Sequence, residues 1–193
     1  MSTDTAIQPG AASTDANANQ NKFLSFCLGQ EEYGVEILRV REIIGLIDIT
    51  PLPQTPEFVK GVINLRGKII PVIELRARFA MDPKDYTDET CVIVVEVSDP
   101  SSDEMFQIGA IVDNVSEVLD VTKDQIEPAP RFGGALTTDY ILGMGKVKNK
   151  VLILLDIDKV LGENQFDLSG DFEAQLEDEQ NHQPTETVPA QVA

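Results

Sequence analysis

The sequence predicts a mainly β protein made of two small closed antiparallel barrels with a few short helices. Short apolar segments of strand type follow one another along the chain, separated by polar, turn-rich stretches. No regular helical pattern alternates with these segments, which argues against an α/β fold. Closed barrels are favoured over open sheets because closure removes the exposed edge strands. Hydrophobic residues make up 42% of the chain, with eight Phe, three Tyr and no Trp, which is enough for a core with few bulky aromatic side chains.

Charge is distributed unevenly along the chain, and this defines the predicted domain. The 193 residues include 15 Lys and Arg against 33 Asp and Glu, a formal net charge of −18, and every basic residue lies between Lys22 and Lys159. Terminal segments this polar and one-signed bury too little apolar surface to offset their ordering entropy. We therefore predict a folded unit over 22–162, a disordered arm over 1–21 and an acidic, mostly disordered tail over 163–193.

The composition also limits the classes of partner. Nucleic-acid binding and attachment to an anionic membrane both depend on clustered Lys and Arg, which this sequence lacks. The first 21 residues hold no basic residue and no continuous apolar stretch, so they do not resemble a secretory signal. The longest apolar runs, 91–95 and 151–155, are five residues long, against ~18 for a membrane span. We expect a cytoplasmic protein without direct membrane insertion.

The first half of the unit predicts two hairpins with a short helical segment between them. The hairpins join 22–28 to 33–37 and 61–65 to 68–73. The turn of the second hairpin is Arg66-Gly67. Between the hairpins, Ile37, Val40 and Ile44 recur at helical spacing and predict a brief helical face.

The second half of the unit predicts further strands. The segment 90–97 has an unbroken apolar core and is interpreted as a strand buried on both faces. The polar, turn-rich stretch 83–89 precedes it, and we take this stretch as the approximate division between the two barrels, with terminal strands free to cross over. The remaining predicted strands are 106–112, 115–119, 140–146 and 151–155.

Candidate catalytic and metal-binding residues are few. The single histidine, His182, lies in the acidic tail, so histidine catalysis is not expected. Asp156 and Asp158 have the spacing that opens a calcium loop, but the required glycine comes one place late, and capping of the following helix is favoured instead. Cys27 and Cys91 lie in apolar strands without a CxxC pair and are interpreted as packed thiols. The sequence predicts no metal site and no cofactor.

One polar constellation is a candidate binding site. An Asn-Leu-Arg-Gly turn at 64–67 ends the second hairpin, and Glu42 could supply a partner carboxylate to Arg66. An Arg held by a carboxylate presents a fixed set of donors to another protein. The plain alternative for the Arg-Gly pair is turn chemistry, and for the apolar residues of the helical face it is core packing.

Several segments of the chain together match a known pattern, and the most specific is Gly-Val-Ile-Asn-Leu-Arg-Gly at 61–67. With the segments around it, this stretch resembles the CheW family of bacterial chemotaxis adaptors. The terminal arm and tail and a polar insertion at 99–104 depart from the family pattern, so the pathway stays open. The resemblance covers nearly all of 22–162 in order, through 23–29, 32–43, 55–73, 75–76, 109–119, 126–130 and 151–157.

The resemblance implies two five-stranded antiparallel barrels packed around a shared hydrophobic core, without catalytic activity or cofactor. CheW adaptors couple transmembrane chemoreceptors to the histidine kinase CheA in signalling arrays. One barrel binds the regulatory domain of CheA, and the groove between the barrels binds the cytoplasmic tip of a methyl-accepting chemotaxis receptor. Carried over by position, partner binding falls on the first helical face, the hairpin turn and the groove: Ile37, Val40, Glu42, Asn64, Arg66, Gly67, Cys91 and Val115.

Two other functions stay open at this point. CheW-like adaptors also serve twitching-motility and other chemosensory pathways, which the sequence does not distinguish. The alternative from a different class is a small metal-binding or catalytic barrel that uses Asp113, Asp156 or Asp158.

Overall fold

The computed structural model describes residues 21–98, 104–129, 138–147 and 150–162. In these ranges the chain forms two β-sheets and short helical segments. Residues 1–20 of the predicted arm, the predicted tail and most of the 99–104 insertion lie outside the described residues.

The two sheets use different parts of the chain. The first sheet contains β1 (Lys22–Leu28), β2 (Glu31–Glu36), β8 (Asn114–Asp120), β9 (Ile126–Glu127), β10 (Ile141–Val147) and β11 (Lys150–Leu155). The second contains β3 (Val40–Gly45), β4 (Val59–Leu65), β5 (Lys68–Glu74), β6 (Cys91–Ser98) and β7 (Met105–Val112). The helical segments are η1 (Ile37–Arg39), α1 (Leu75–Arg78), η2 (Lys123–Gln125) and α2 (Ile157–Gly162).

The prediction of a mainly β fold with two small sheets and a few short helices is confirmed. The strand orders are β8-β1-β2-β11-β10-β9 and β3-β6-β7-β5-β4, and both predicted hairpins, β1–β2 and β4–β5, are present. The first sheet has six strands rather than five, and two neighbouring pairs, β2–β11 and β5–β7, are parallel. Parallel pairing requires a long crossover between the two strands, so local sequence patterns do not specify it.

Both sheets curl until their edges come close together. In the first sheet, the edge strands β8 and β9 are joined by only the five residues 121–125. In the second sheet, Thr50, in the chain that leaves edge strand β3, exchanges two backbone hydrogen bonds of 2.9 Å with Val62 of the opposite edge, β4. Gly61 permits this approach, since a Cβ there would lie 2.0 Å from the Thr50 carbonyl oxygen. Each sheet therefore forms a small barrel.

Each barrel encloses its own apolar core. The first core contains Phe23, Leu119, Val121, Leu152 and Leu154. The second contains Ile63, Ile70, Val72, Val92, Val94 and Ile111.

A third buried layer lies on the opposite face of β6, where Ile93, Val95 and Val97 are at most 1% exposed. Segments η1 and α2 contact β6, and β1 contacts β7, so this layer lies between the barrels. We call the face of the second sheet that carries Ile93 and Val95 the inter-barrel face. Strand β6 is therefore buried on both faces, as predicted from its unbroken apolar run.

The predicted helical face is wrong beyond Arg39. Segment η1 ends at that residue, and β3 begins at Val40, so Ile44 lies in a strand. Strand β3 pairs with β6, which supplies the backbone hydrogen bonds that a helix would otherwise make internally. β-branched residues such as Val40 and Ile44 pack well on a pleated surface. The apolar spacing of this segment fits either a helix or a strand, and pairing with β6 selects the strand.

The chain passes between barrels at η1 and again at Asp113, rather than near 83–89. The stretch 83–89 joins α1 to β6 within the second barrel. Its polar composition correctly indicates an exposed loop. Such a loop can connect strands of the same barrel or of different barrels, so its composition does not locate the division.

A buried ion pair joins the two barrels where the chain passes from β7 to β8. Asp113 accepts two hydrogen bonds from Arg76 of α1, Nε to Oδ1 at 2.7 Å and Nη2 to Oδ2 at 2.8 Å. The amide of Gly29, in the β1–β2 turn, donates to Oδ2 at 2.9 Å. Arg76 and Asp113 are each 9% exposed. The Asp113 carboxylate therefore links the second barrel to the first hairpin of the other.

Further contacts surround this pair. Arg76 Nη1 donates to the carbonyl of Asp82 at 2.9 Å, and Lys84 Nζ lies 3.4 Å from Asp113 Oδ2. The amide of Asp113 donates to the Cys27 carbonyl at 3.2 Å. The Arg76 hydrogen bond is the main cause that lowers the pKa of Asp113 to about 2, against the opposing effect of desolvation. The carboxylate therefore stays ionised down to strongly acidic pH.

We expect Asp113→Asn to destabilise the protein at neutral pH and to reduce its sensitivity to acid. The folded pKa of Asp113 lies below the unfolded value, so its stabilisation is present above about pH 4 and is lost as the pH falls toward about 2. A shift of this size corresponds to roughly 2 kcal/mol of unfolding free energy. Urea unfolding across this pH range measures it, with exposed Asp88→Asn as control. Parallel stability curves for wild type and Asp113→Asn would contradict the assignment.

Ile93→Ala and Val94→Ala test the two buried faces of β6 separately. Each should lower the free energy of unfolding by roughly 1–3 kcal/mol through lost burial and a residual cavity. Lys123→Ala, on exposed η2, should change it little. Lys84 is less suitable as a control because it approaches Asp113. A large loss at only one of the two β6 positions would mean that one face of the strand is not packed.

Candidate partner-binding site

The conformation of the Asn-Leu-Arg-Gly turn holds Arg66 at the tip of the β4–β5 hairpin. Arg66 and Gly67 have φ values of 54° and 87°, the positive values that a two-residue hairpin turn of type I′ requires. This conformation is easy for glycine and uncommon for arginine. Asn64 Oδ1 accepts a 2.9 Å hydrogen bond from the Gly67 amide and stabilises the turn.

Arg66 forms the ion pair with Glu42 that the sequence suggested. Its Nη2 donates to Glu42 Oε2 at 2.8 Å, and Nη1 donates to Oε1 at 3.4 Å. The Arg66 side chain is 78% exposed and that of Glu42 is 25% exposed. Glu42 fixes the orientation of the Arg66 guanidinium, which is otherwise exposed to solvent. Its remaining N–H groups are therefore available to a partner.

This ion pair also connects the two edges of the second sheet. Glu42 belongs to edge strand β3, and Arg66 follows edge strand β4. The half-buried side chains of Ile44 and Leu65, from the same two edges, pack against the core of the second barrel. An exposed pair contributes only ~0–1 kcal/mol, so packing rather than this pair maintains closure.

A β-bulge divides β3 between two surfaces. Val40 lies opposite Val95, and Glu42 lies opposite Val94, so Arg41 is the extra residue. In a regular strand, side chains two residues apart share a face. Here Val40 lies on the inter-barrel face, while Glu42 lies on the core side, where it can reach the hairpin tip.

The structure brings Cys91 and Val115 together across the two barrels. Burial raises the pKa of the Cys91 thiol, and a backbone hydrogen bond from Val115 lowers it by less. The thiol is therefore protonated at neutral pH, which agrees with the interpretation of a packed side chain. Both Cys27 and Cys91 are free and half-buried.

Two exposed apolar residues lie on the same sheet faces as Cys91 and Val115 and are not among the predicted site residues. Ile43 lies opposite Ile93, hence on the inter-barrel face, and is 44% exposed. Val118 lies opposite Leu24 and is 49% exposed. The sequence predicts a strand at Val118 but a helical face around Ile43, and only the strand register shows that both side chains remain accessible.

The predicted site residues therefore form two groups that share strand β3. The hairpin-tip group is Glu42, Asn64, Arg66 and Gly67. The groove group lies on the facing sides of the two barrels and contains Val40, Cys91 and Val115. Ile37 lies in η1, half-buried, where the chain first passes between the barrels.

The carboxylates of the metal-binding or catalytic alternative all have structural roles. Asp113 pairs with Arg76. Asp156 precedes α2 and accepts the Lys159 amide at 3.4 Å, as predicted for a helix cap. Asp158 pairs with Arg39 and accepts the Ser98 amide at 2.8 Å. Within the described parts of the chain, no group of three or more His, Cys, Asp or Glu side chains is placed to hold a metal ion.

Comparison with known proteins assigns the family. The CheW-like domain family matches residues 22–165. The chain belongs to the CheW-like family. The chemotaxis protein CheW of Klebsiella aerogenes is 44% identical over 147 residues, which cover 76% of this chain and 85% of the relative. A probable chemotaxis protein CheW of Rhizobium etli is 32% identical over 149 residues, covering 77% and 92%.

A solved structure also resembles this CheW-like domain. It is the scaffolding protein TtCheW of Thermoanaerobacter tengcongensis, with a TM-score of 0.65 and 35% sequence identity, covering 75% of this chain and 94% of that one. The protein is therefore a member of a family of chemotaxis scaffold proteins. Among the described residues, no helix is both long and apolar enough to cross a membrane.

Proposed function

We propose that the protein is a non-enzymatic adaptor that couples chemoreceptors to the histidine kinase CheA. Its partners are the cytoplasmic tips of methyl-accepting chemotaxis receptors and the regulatory domain of CheA. The adaptor is cytoplasmic and is recruited to membrane-associated receptor arrays. Membership of the CheW-like family supports this proposal, and the geometric observation that carries it is the Arg66–Glu42 pair, which holds an exposed guanidinium at a hairpin tip.

The receptor site combines a fixed cation with an apolar strip. Arg66 offers donors to a carboxylate, and Glu42 restricts its orientation. The exposed side chains of Ile43 and Val118 extend the apolar groove group. A receptor surface with apolar side chains beside an acidic residue complements this arrangement. The proposed contact residues are Ile37, Val40, Glu42, Asn64, Arg66, Gly67, Cys91 and Val115, with Ile43 and Val118 added.

The proposal that the protein is not an enzyme is supported by the structural roles of its candidate catalytic side chains. The three carboxylates considered for catalysis hold the barrels together or support α2 and η1. The Cys91 thiol has a raised pKa, which is unfavourable for a nucleophile.

Arg66→Glu should separate receptor binding from folding. The variant should remain within ~1 kcal/mol of wild-type stability, because an exposed pair contributes little. Repulsion from Glu42 and from an acidic receptor contact should weaken binding of a receptor-tip fragment at least tenfold, or ~1.4 kcal/mol. Thermal melts and calorimetric titrations measure the two effects. Binding to the CheA regulatory domain should persist, since the family assigns that contact to another surface.

Lys68→Glu is the matched control, because it reverses a charge on the same exposed hairpin tip without removing the pair. It should weaken receptor binding much less than Arg66→Glu. The double reversal Arg66→Glu with Glu42→Arg should recover part of the lost affinity if the two side chains act together. Equal effects of Arg66→Glu and Lys68→Glu would mean that the net charge of the hairpin tip, and not a specific Arg66 contact, affects binding. Unchanged receptor affinity in Arg66→Glu would show that Arg66 is not part of the receptor site.

A further inference from the structure

Strand β8 contains a bulge that has a direct effect on the groove group. Leu24 lies opposite Val118, and Phe26 lies opposite Val115. The two β1 residues are two apart in sequence, whereas their β8 partners are three apart. Strand β8 therefore has one extra residue between these two pairs.

The bulge places Val115 and Val118 on the same face of the first sheet. Cross-strand partners share a face, and Leu24 and Phe26, two apart on a regular part of β1, lie on one side. In a regular strand, residues three apart would point to opposite sides. Without the bulge, one of the two valines would turn toward the core of the first barrel and leave the groove.

The side chain of Ser25 makes two hydrogen bonds at this irregular point. Opposite the two bulged residues, Ser116 and Glu117, strand β1 has only Ser25. Ser25 Oγ donates to the Glu117 carbonyl at 2.9 Å and accepts from the Glu117 amide at 3.2 Å. One hydroxyl therefore bonds both backbone polar groups of the same bulged residue.

The burial of Ser25 makes this role specific. Ser25 is 0% exposed, and its cross-strand partner on β2 is Gly34, where a Cβ would meet Leu152 and Leu154 of the first core. A hydroxyl in such a place is costly unless it is hydrogen-bonded, and the Ser25 hydroxyl both donates to and accepts from the Glu117 backbone. An aliphatic side chain at position 25 would fill the core but would leave the bulge without these bonds.

We infer that Ser25 is a positioning residue for partner binding, acting through the β8 bulge to hold Val115 and Val118 together in the groove. The effect on binding rests on the proposed receptor function, whereas the effect on the bulge is independent of it. Ser25 does not itself contact the partner, since it is fully buried.

The experiment compares wild type, Ser25→Ala, Ser25→Thr and Ser116→Ala by NMR and by receptor-fragment titration. Ser25→Ala removes the hydroxyl, and Ser25→Thr keeps it. Ser116→Ala is the matched control, because this exposed hydroxyl lies in the bulge but its contact is a 3.8 Å approach to Cys27 Sγ. Two NMR readouts report the bulge: hydrogen exchange of the Glu117 amide, and cross-strand contacts that pair Val115 with Phe26 and Val118 with Leu24.

In folded Ser25→Ala we expect at least tenfold faster exchange at Glu117, loss of one of the two cross-strand contacts, and roughly tenfold weaker receptor-fragment binding. Ser25→Thr and Ser116→Ala should retain the wild-type exchange rate, contacts and affinity. Wild-type exchange and contacts in Ser25→Ala would overturn the inference, as would a lost bulge with unchanged affinity. If wild type itself fails to bind the fragment, the proposed receptor function fails, while the two NMR readouts still decide whether Ser25 holds the bulge.

Discussion

The relative placement of the barrels depends on one buried charge pair, between Arg76 and Asp113. Two ions removed from water are costly unless their polar atoms have partners, and here every guanidinium nitrogen and both carboxylate oxygens have at least one. The guanidinium binds both carboxylate oxygens and a backbone carbonyl, and the carboxylate also accepts the Gly29 amide. Because Asp113 is the link between β7 and β8, the pair fixes the start of β8 and with it the approach of Val115 to Cys91.

Two β-bulges, one in β3 and one in β8, determine which faces the candidate binding residues occupy. The bulge in β3 sends Val40 and Glu42 to opposite faces, so one edge strand serves both the groove and the hairpin tip. The bulge in β8 does the reverse, since it brings Val115 and Val118 to a common face. In both places a single extra residue re-aims side chains that a regular strand would have directed elsewhere.

Much of this structure is accessible from sequence where the signal is local. The hairpins, the doubly buried strand β6, the Asn-Leu-Arg-Gly turn and the Asp156 cap each depend on residues close together in the chain. The sequence also suggests the Arg66–Glu42 pair, because the turn exposes Arg66 and Glu42 offers a carboxylate in the segment between the two hairpins. These features follow from turn chemistry, apolar runs and capping preferences.

The remaining features depend on contacts between distant residues. The sequence 40–45 fits a helical period as well as a strand, and pairing with β6 selects the strand. The parallel pairs, the crossing points between barrels and the role of Ser25 depend on strand order and register. The exposure of Ile43 and Val118 has the same origin, because an apolar residue in a strand carries no local sign of whether it faces a core or a groove.

The interleaving of the two barrels along the chain has a consequence for synthesis on the ribosome. The second barrel uses the contiguous stretch 40–112, so all its strands have been made before β8 appears. The first barrel begins with β1 and β2 but lacks the parallel neighbour of β2 until β11 is complete at Leu155. Pairing between strands as far apart in sequence as β2 and β11 is slow. Until it occurs, the β1–β2 hairpin exposes an unpaired strand edge. The N-terminal hairpin is consequently the first part of the domain to be translated and among the last to be enclosed, and in that interval it is the part most open to association with other nascent chains.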